Sequence, residues 1–383
     1  MMSEYICEEL IAEIFTRLPI EAILRFRTLS KSIRSCIDSP HFIRKHTLLS
    51  PQKFLIRHRN RTIGEGYTLH SEDQLPLRGE SIDATALKFP FSSTSKIVGS
   101  CNGIFCLRDS KDKSISLWNP CIRRKLTIPD RRPASKCKLP CICIGFGFDP
   151  ITSDYKILRI SYEDYDHKRP RPPQAFIYSV RRDAWCHIDS SPPPNVIMSE
   201  QACCLNGALL LWVVQNSVGW HKSEEEEKYT NAYIMTFDLT THVFGSIELP
   251  ADQYWENQLW HTHLFLTIIN GSIAFIHCAD NSSIRIWVRR LVDNNTAWSL
   301  EFDVPTFDNL IRHSVTKFVG VTKNGNFLFL CNGQCVAYDH ASGMESSIMK
   351  NGFNSVDMEM CVESLQLLNI ALPYKESIIS HYL

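Results

Sequence analysis

Residues 96–129 read KIVGSCNGIFCLRDSKDKSISLWNPCIRRKLTIP, four short runs rich in apolar and β-branched residues that are separated by polar turn residues. Runs of this length and composition between turn residues are typical of β-strands. The first two runs are joined by Asn102-Gly103, a pair that favours a type I′ turn because both central residues of that turn adopt positive φ. The stretch therefore predicts one antiparallel sheet of four strands in sequence order.

The same pattern recurs along the chain at 142–193, 201–250, 264–305 and 315–350. Asn-Gly pairs separate the first and second predicted strands at 102–103, 206–207, 270–271 and 324–325. The third predicted strand of each unit carries an aromatic residue: Trp118, Tyr178, Phe237, Trp287 and Tyr338. Repeated four-stranded units of roughly 50 residues are typical of a β-propeller with a kelch-like period.

A sixth unit is predicted where the two ends of the repeat region meet. Strands at 53–57, 66–70 and 86–89 supply three of its members, and a C-terminal strand at 362–368 completes it. Closure by strands from both ends pins the first blade to the last and removes free sheet edges. The sequence therefore predicts an all-β propeller of about six blades at 48–372, with five or seven as alternatives, and a C-terminal tail at 373–383.

The predicted propeller has one face with short turns and one face with long loops. Within a four-stranded blade the 1–2 and 3–4 turns share one face, and the 2–3 loops and blade-to-blade connections share the other. The 1–2 turns are mostly Asn-Gly, whereas nearly all long segments belong to the second class: 130–141, 162–174, 189–200, 215–231, 251–263 and 306–314. Variable loops on a rigid scaffold usually carry recognition.

Five loop residues are the candidates for contact with a protein target: Trp220, Tyr254, Trp255, Trp260 and His261. Exposed Trp and Tyr side chains dominate interface hot spots. The alternative is that the aromatic residues of 254–260 cover the edge of the propeller. The four consecutive glutamates at 224–227 are typical of a solvated loop.

Residues 3–47 have a helical period instead. Five apolar residues share one predicted helix face: Leu10, Ile11, Ile14, Phe15 and Leu18. Pro19 cannot continue that helix, and Ser30 and Ser39 are predicted caps of later helices. Three or four short helices are too few for a good independent core, so we expect this region to complete its core on a partner or on the next domain.

Composition excludes several classes of protein. The 383 residues carry 41 Lys+Arg and 41 Asp+Glu, whereas a general nucleic-acid-binding protein would show a basic excess. The acidic N-terminus does not resemble a signal peptide, and the longest apolar run, 208–214, is far shorter than the ~20 residues of a membrane span. We therefore expect a cytoplasmic or nuclear protein without nucleic-acid or membrane partners.

Chemistry-bearing motifs are missing from the sequence. The 15 cysteines show no CxxC spacing and are interpreted as reduced, buried thiols rather than zinc ligands, so we expect no metal or cofactor. Neither GxSxG, a P-loop nor HExxH is present, which argues against an enzyme. A propeller enzyme, the remaining alternative, predicts a cluster of ionisable residues with perturbed pKa values in the central channel.

The helical region resembles a plant F-box across residues 5–46, with close matches at RLP (17–19), LRFR (24–27), SKS (30–32) and SPHF (39–42). The repeat region is similar to the plant F-box-associated domain at GSCNGIFCL (99–107), LWNP (117–120), FGFDPITSDYKILRI (146–160) and CVESLQLLN (361–369). The resemblance covers essentially the whole chain, and within the family the chain is similar to S-locus F-box and defence-regulating F-box proteins.

The resemblance implies an α+β multidomain protein, a small all-α F-box followed by an all-β kelch-like propeller. It also implies a non-catalytic substrate receptor of an SCF-type ubiquitin ligase. The F-box docks on a Skp-type adaptor and through it on a cullin scaffold, and the propeller presents a protein target for ubiquitination and degradation. Eight residues match the family's adaptor-contacting or supporting positions: Ile6, Cys7, Leu10, Ile14, Leu18, Pro19, Leu24 and Phe26.

Two departures from the family pattern bear on docking. Ile6-Cys7 stands where the family usually has Leu-Pro, which removes a pre-set helix start, and Ile33 stands where it usually has Trp. Neither departure introduces a buried charge, so we expect adaptor binding to persist. The Ile6-Cys7 departure favours the alternative function, a stand-alone protein- or glycan-binding propeller that does not engage the adaptor. The resemblance leaves the target open among S-ribonucleases, immune receptors and other proteins.

Overall fold

A computed structural model of the chain describes residues 8–60, 64–78, 86–129, 141–162, 172–193, 196–198, 202–216, 232–251, 263–278, 283–292, 295–305, 315–350 and 355–368. Four α-helices come first: α1 (Glu8–Phe15), α2 (Ile20–Phe26), α3 (Lys31–Ile37) and α4 (Pro40–Leu49). The Ser30 hydroxyl accepts a hydrogen bond from the Ile33 amide at 3.1 Å, and Ser39 accepts one from Phe42 at 3.2 Å. Both predicted caps are confirmed.

The helices are followed by β-strands. Those of the first half are β1 (Gln52–Asn60), β2 (Gly64–Ser71), β3 (Leu77–Arg78), β4 (Leu87–Lys88), β5 (Ser95–Cys101), β6 (Ile104–Asp109), β7 (Ile115–Asn119), β8 (Arg124–Ile128), β9 (Cys141–Asp149), β10 (Asp154–Tyr162), β11 (Gln174–Ser179), β12 (Ala184–His187), β13 (Val196–Met198) and β14 (Cys203–Leu205). Those of the second half are β15 (Leu209–Asn216), β16 (Ala232–Asp238), β17 (Val243–Glu248), β18 (His263–Ile269), β19 (Ser272–Cys278), β20 (Ser283–Val292), β21 (Asn295–Pro305), β22 (Val315–Val321), β23 (Phe327–Cys331), β24 (Gln334–Asp339), β25 (Met344–Ser347), β26 (Met349–Lys350) and β27 (Ser355–Val362).

These strands form the six blades of a β-propeller, and the predicted fold class is confirmed. Blades 1 to 5 follow the chain: β5–β8, β9–β12, β13–β17, β18–β21 and β22–β25. Blade 6 has the order β27-β1-β2-β4 and so joins the two ends of the repeat region. The strands within each blade pair antiparallel, and β5, β9, β14, β18, β22 and β27 are the innermost strands around a central channel.

Aromatic residues of the third strands hold adjacent blades together. Each of them is buried against the preceding blade, and together they occupy the interfaces between blades 6 and 1, 1 and 2, 2 and 3, 3 and 4, and 4 and 5. In that order the residues are Trp118, Tyr178, Phe237, Trp287 and Tyr338. In blade 6 the corresponding residue is His70, which pairs in register with Phe54 of β1. The repeat of aromatic residues seen in the sequence is therefore the repeat of the blade interfaces, where each of these large side chains buries a large apolar area.

The closing strand differs from the prediction. Residues 362–368 were expected to complete blade 6, but the strand is Ser355–Val362, with Ile56 opposite Met358 and Gln52 opposite Val362. The physical reason is Leu365, which is fully buried in the core of the helical domain and so draws residues 363–368 out of the sheet. Closure by strands from both chain ends is otherwise as predicted.

Three of the four predicted type I′ turns are confirmed. Both residues of the Asn-Gly pairs at 102–103, 206–207 and 270–271 have positive φ, between 49° and 77°. The prediction is wrong at 324–325, where Gly325 alone has positive φ. There the turn is longer, because the amide of Thr322 donates to the carbonyl of Asn326 at 2.9 Å and spans a wider connection between β22 and β23.

The first strand of blade 3 is split between two segments. β13 pairs with the end of β15 and β14 pairs with its beginning. β13 lies within 189–200, a segment that the sequence predicted to be a loop. Val196, Ile197 and Met198 are apolar and can therefore occupy a strand, but proline and serine residues around them obscure this signal.

Candidate adaptor-binding site

The four helices share a small apolar core. Ile20, Ile23, Ile37 and Phe42 are buried in it, and Leu365 from the end of the propeller is buried with them. Cys121 and Ile122, in the turn between β7 and β8, also pack against this cluster. The helical domain therefore completes its core on the neighbouring propeller, as its small size led us to expect.

Helix α1 presents two separate apolar stripes. Ile11 and Phe15 face the helical core, where the ring of Phe15 stacks on that of Phe26 with centroids 4.9 Å apart. Leu10 and Ile14 are 56% and 52% exposed. Residues four apart share a helix face, and these two pairs are offset by one residue, or about 100° around the axis. The single face predicted from the sequence is therefore wrong, and α1 has one face packed and one face open.

The other described candidates lie around the corner between α1 and α2. Pro19 is exposed and occupies the N-cap of α2 with φ −60° and ψ 150°. Three candidates are half-buried in the helical core and support the surface from behind: Leu18, Leu24 and Phe26. The carbonyl oxygen of Leu18 accepts a hydrogen bond from His46 Nε2 at 3.1 Å, which fixes the corner against α4. Ile6 and Cys7 lie outside the described residues, so their role stays a prediction.

Ion pairs hold the helices that carry this surface. Arg27 makes two hydrogen bonds to the Asp38 carboxylate, Nε to Oδ1 at 2.5 Å and a second guanidinium nitrogen to Oδ2 at 2.8 Å. Lys45 of α4 pairs with Glu13 of α1. The hydrogen bond from Lys45, together with its charge, lowers the pKa of Glu13. Because α1 is tied to α4 in this way, its open apolar face is held in a fixed position.

Residues 363–368, the junction segment, lie between the helices and the propeller. Asn119 Nδ2 donates to the carbonyl oxygens of Ser364 and Gln366 at 2.7 and 2.9 Å. The Ser364 hydroxyl lies 3.5 Å from Thr47 Oγ1 of α4. Glu363 forms an ion pair with Lys53 at the start of β1. The junction segment thus bonds to blade 1, to blade 6 and to α4, and it sets the helical domain on the face that carries the 1–2 and 3–4 turns.

Two glycines of equal backbone geometry test how tightly this junction is packed. Gly103 and Gly271 both have φ +76°, but a Cβ on Gly103 would lie 2.5 Å from Ser364 Cβ, whereas a Cβ on Gly271 meets no atom within 4 Å. Gly271→Ala should lower the free energy of unfolding by about 1–2 kcal/mol through its left-handed backbone alone. Gly103→Ala should lower it by at least about 1 kcal/mol more through overpacking. Urea unfolding of both variants measures the difference, and equal losses would contradict a close-packed junction.

The opposite face of the propeller is where the long loops begin and end. β15 ends at Asn216 and β16 begins at Ala232, and Trp220 falls between them. The other four predicted target-contacting residues fall between Ala251 and His263: Tyr254, Trp255, Trp260 and His261. All five lie outside the described residues and stay predictions. The strand ends that flank them lie on the face away from the helical domain.

The central channel holds an ionisable cluster of the kind that the enzyme alternative predicts. Lys317 on β22 donates to Asp357 at 2.9 Å and also to Glu359, and both carboxylates lie on β27. Burial alone would lower the pKa of Lys317, but the two carboxylates outweigh it and raise that pKa. A lysine that acts as a base or nucleophile needs a lowered pKa instead. The cluster is therefore suited to joining blades 5 and 6, and the raised pKa of Lys317 does not favour the enzyme alternative.

The described part of the chain has no helix that is long and apolar enough to cross a membrane. Nor does it contain a group of three or more His, Cys, Asp and Glu side chains placed to hold a metal ion. The Cys106, Cys143 and Cys335 thiols are buried in strands, as the interpretation of the cysteines expected, whereas Cys186 of β12 is exposed and departs from it.

Comparison with known proteins identifies both parts of the chain. A family model described as the F-box domain matches residues 5–45, and one described as the F-box associated beta propeller domain matches residues 56–380. An Arabidopsis thaliana F-box protein, At4g21240, is 29% identical over 94% of this chain and 85% of its own length. The F-box protein CPR1 of the same plant is 23% identical over 94% of this chain and 88% of its own length. Among solved structures, the β-propeller domain of the trilobed protease from Pyrococcus furiosus is 8% identical, with a TM-score of 0.38, over 78% of this chain and 92% of that one.

Proposed function

Because this chain belongs to the plant F-box proteins that carry an F-box-associated β-propeller, we propose that it docks on a Skp-type adaptor through α1 and the α1–α2 corner, and captures a protein target on its long propeller loops. Proteins of this kind are in general non-catalytic substrate receptors of SCF-type ubiquitin ligases. The adaptor would link the chain to a cullin scaffold, in the cytoplasm or the nucleus, and the captured target would be ubiquitinated and degraded.

One observation carries the adaptor part of this proposal. Leu10 and Ile14 form an exposed apolar pair on a helix whose opposite side is packed and whose position is fixed by Glu13 and Lys45. Exposed apolar side chains held by a rigid scaffold are favourable to bury against a partner, because little conformational entropy is lost on binding.

The placement of the helical domain and of the long loops on opposite faces of the propeller supports the proposed capture of a target. The helical domain occupies the face with the short turns, through Cys121, Ile122 and the junction segment. The flanks of the long loops lie on the other face. A target on those loops would not compete with the adaptor for space, and the receptor would act by raising the local concentration of the target near the transfer machinery.

Co-purification tests this proposal. The full chain is co-expressed with a Skp-type adaptor and a cullin, and the composition of the purified complex is measured by size-exclusion chromatography with light scattering. We expect a stoichiometric complex. A folded chain that elutes alone, without adaptor, would contradict the receptor role and would favour the stand-alone protein- or glycan-binding propeller.

A further inference from the structure

A large cavity lies between the helical domain and the propeller. Its volume is about 910 Å³, and it is bounded on one side by α4 and on the other by the turns of blades 1, 2 and 3, with the junction segment along one edge. Cavities of ~300–1,000 Å³ at domain boundaries are the usual sites of small-molecule ligands. The cavity lies on the turn-bearing face and thus away from the long loops that we propose for target capture.

The floor of the cavity is apolar and partly aromatic. Leu126, Tyr155, Tyr178, Val180 and Leu367 line it and belong to one buried cluster between blades 1 and 2. The ring of Phe148, which also lines the cavity, packs against that of Tyr155 with centroids 4.9 Å apart. A flat apolar ring system would bury its surface on such a floor.

The carboxylates of the rim are already bonded to groups of the protein. Asp154 accepts hydrogen bonds from Ser179 Oγ at 2.5 Å and from the Arg181 amide at 2.8 Å. Asp183 accepts one from the hydroxyl of Tyr178 at 2.5 Å. Asp38 is held by Arg27. The acceptor atoms of the rim are therefore largely directed into the protein.

The guanidinium groups of the rim are not neutralised in the same way. Arg44 comes from α4 and Arg181 from the turn between β11 and β12, so they approach the cavity from the two domains. Both are exposed, and no described residue forms an ion pair with either of them. Arg181 Nη1 donates one hydrogen bond, to the carbonyl oxygen of Thr152 at 3.3 Å, which leaves its other guanidinium donors for a ligand. Arginine is well suited to bind a carboxylate through two parallel hydrogen bonds.

We propose that this cavity binds a small aromatic carboxylic acid, with its ring on the Tyr155–Tyr178 floor and its carboxylate between Arg44 and Arg181. Such a ligand contacts the helical domain and the propeller at once. It therefore stabilises the observed placement of the two domains, and the unfolding temperature of the chain rises with its concentration. This inference goes beyond the receptor role, and its test uses neither adaptor nor target, so the two can fail separately.

Three probes with one ring system and different charge test the proposal on the full chain. Binding of 2-naphthoate, 2-naphthamide and 2-naphthylmethylamine is measured by titration calorimetry and by thermal unfolding. We expect 2-naphthoate to bind with one site per chain, and at least tenfold more tightly than the neutral amide or the amine. No binding of 2-naphthoate, or equal affinity for all three probes, would overturn the proposal.

Variants locate the site. The double variant Arg44→Gln with Arg181→Gln should lower the affinity for 2-naphthoate at least tenfold. Its affinity for 2-naphthamide should stay unchanged, because only the charged contact is lost. His41 is an exposed residue of α4 that lines the cavity. His41→Trp should lower the affinity for both probes, because the larger side chain fills the space. Retained affinity in both variants would place the binding elsewhere and overturn the proposal.

Displacement of all three probes alike by a peptide of residues 369–383, which follow the lining residue Leu368, would assign the cavity to the chain's own C-terminal segment and overturn it too.

Discussion

Replacing Leu10 and Ile14 together by Asp is expected to weaken adaptor binding at least 100-fold and to leave the unfolding temperature of the free chain nearly unchanged. Both side chains are more than half exposed, so the free protein buries no new charge. At each position the complex loses about 1.5–3 kcal/mol of binding free energy from the burial of an apolar side chain. In addition, two carboxylates must be desolvated without partners. A loss of that size corresponds to at least about 100-fold in affinity. Titration calorimetry with a Skp-type adaptor, and thermal unfolding of the free variant, measure the two quantities.

Leu48→Asp is the matched control, because Leu48 is 78% exposed but lies on α4 beside the cavity. Its affinity for the adaptor should equal that of the unchanged chain. If Leu48→Asp lowers the affinity for the adaptor as much as the double variant does, α1 is not the docking helix. Leu18 is less suitable for such a test, since it is half-buried in the helical core and a charge there would also destabilise the free domain.

Trp118→Ala is expected to lower the free energy of unfolding by about 3–5 kcal/mol, the usual cost of removing a fully buried Trp. Trp118 is 1% exposed and lies where blade 6 meets blade 1. Its ring contacts those of Tyr67, Phe89 and Phe91, with centroids 4.8, 5.6 and 5.8 Å away. The cavity left behind would open the interface that closes the ring. Urea unfolding followed by far-UV circular dichroism measures the loss.

Trp298→Ala is the control for that prediction, since Trp298 is only partly buried at the outer strand of blade 4. Its indole donates one hydrogen bond, to the carbonyl oxygen of Glu248 at 2.9 Å. The variant should lose less than half as much free energy as Trp118→Ala. Similar losses would show that closure between blades 6 and 1 has no special weight in the stability of the propeller.

The blades could be predicted from the sequence because their signals are local. Asn-Gly turns and alternating apolar residues act within one hairpin, and the aromatic residue of each third strand recurs wherever a blade meets the preceding one. The sequence predicts the closing strand too far along the chain, because Leu365 and Leu367 alternate with polar residues as in a half-buried strand. Only the three-dimensional contact of Leu365 with the helices distinguishes that segment from a strand.

The candidate site was less accessible to sequence reasoning for the same reason. Helical spacing pairs Leu10 with Ile14 and Ile11 with Phe15, and the sequence does not say which of these two pairs packs against α2 and which is exposed to solvent. The cavity could not be found at all, because its walls come from α4, from three blades and from the junction segment. In the sequence Arg44 and Arg181 resemble any other surface arginines, and only the fold places both of them on the rim of one cavity.

The position of β27 has a consequence for the order in which this protein matures on the ribosome. β27, the innermost strand of blade 6, and the junction segment with Leu365 are synthesised after all the other described strands. Domains usually fold in N-to-C order during translation. Here, however, the first helices and β1 must wait for residues 355–368 before the ring closes and the helical core is complete. A nascent chain that stalls before residue 355 would keep an unpaired strand edge on β1 and an open helical core, both of which are signals for chaperones and proteases. Only a chain translated past residue 368 would present an adaptor surface on a finished scaffold.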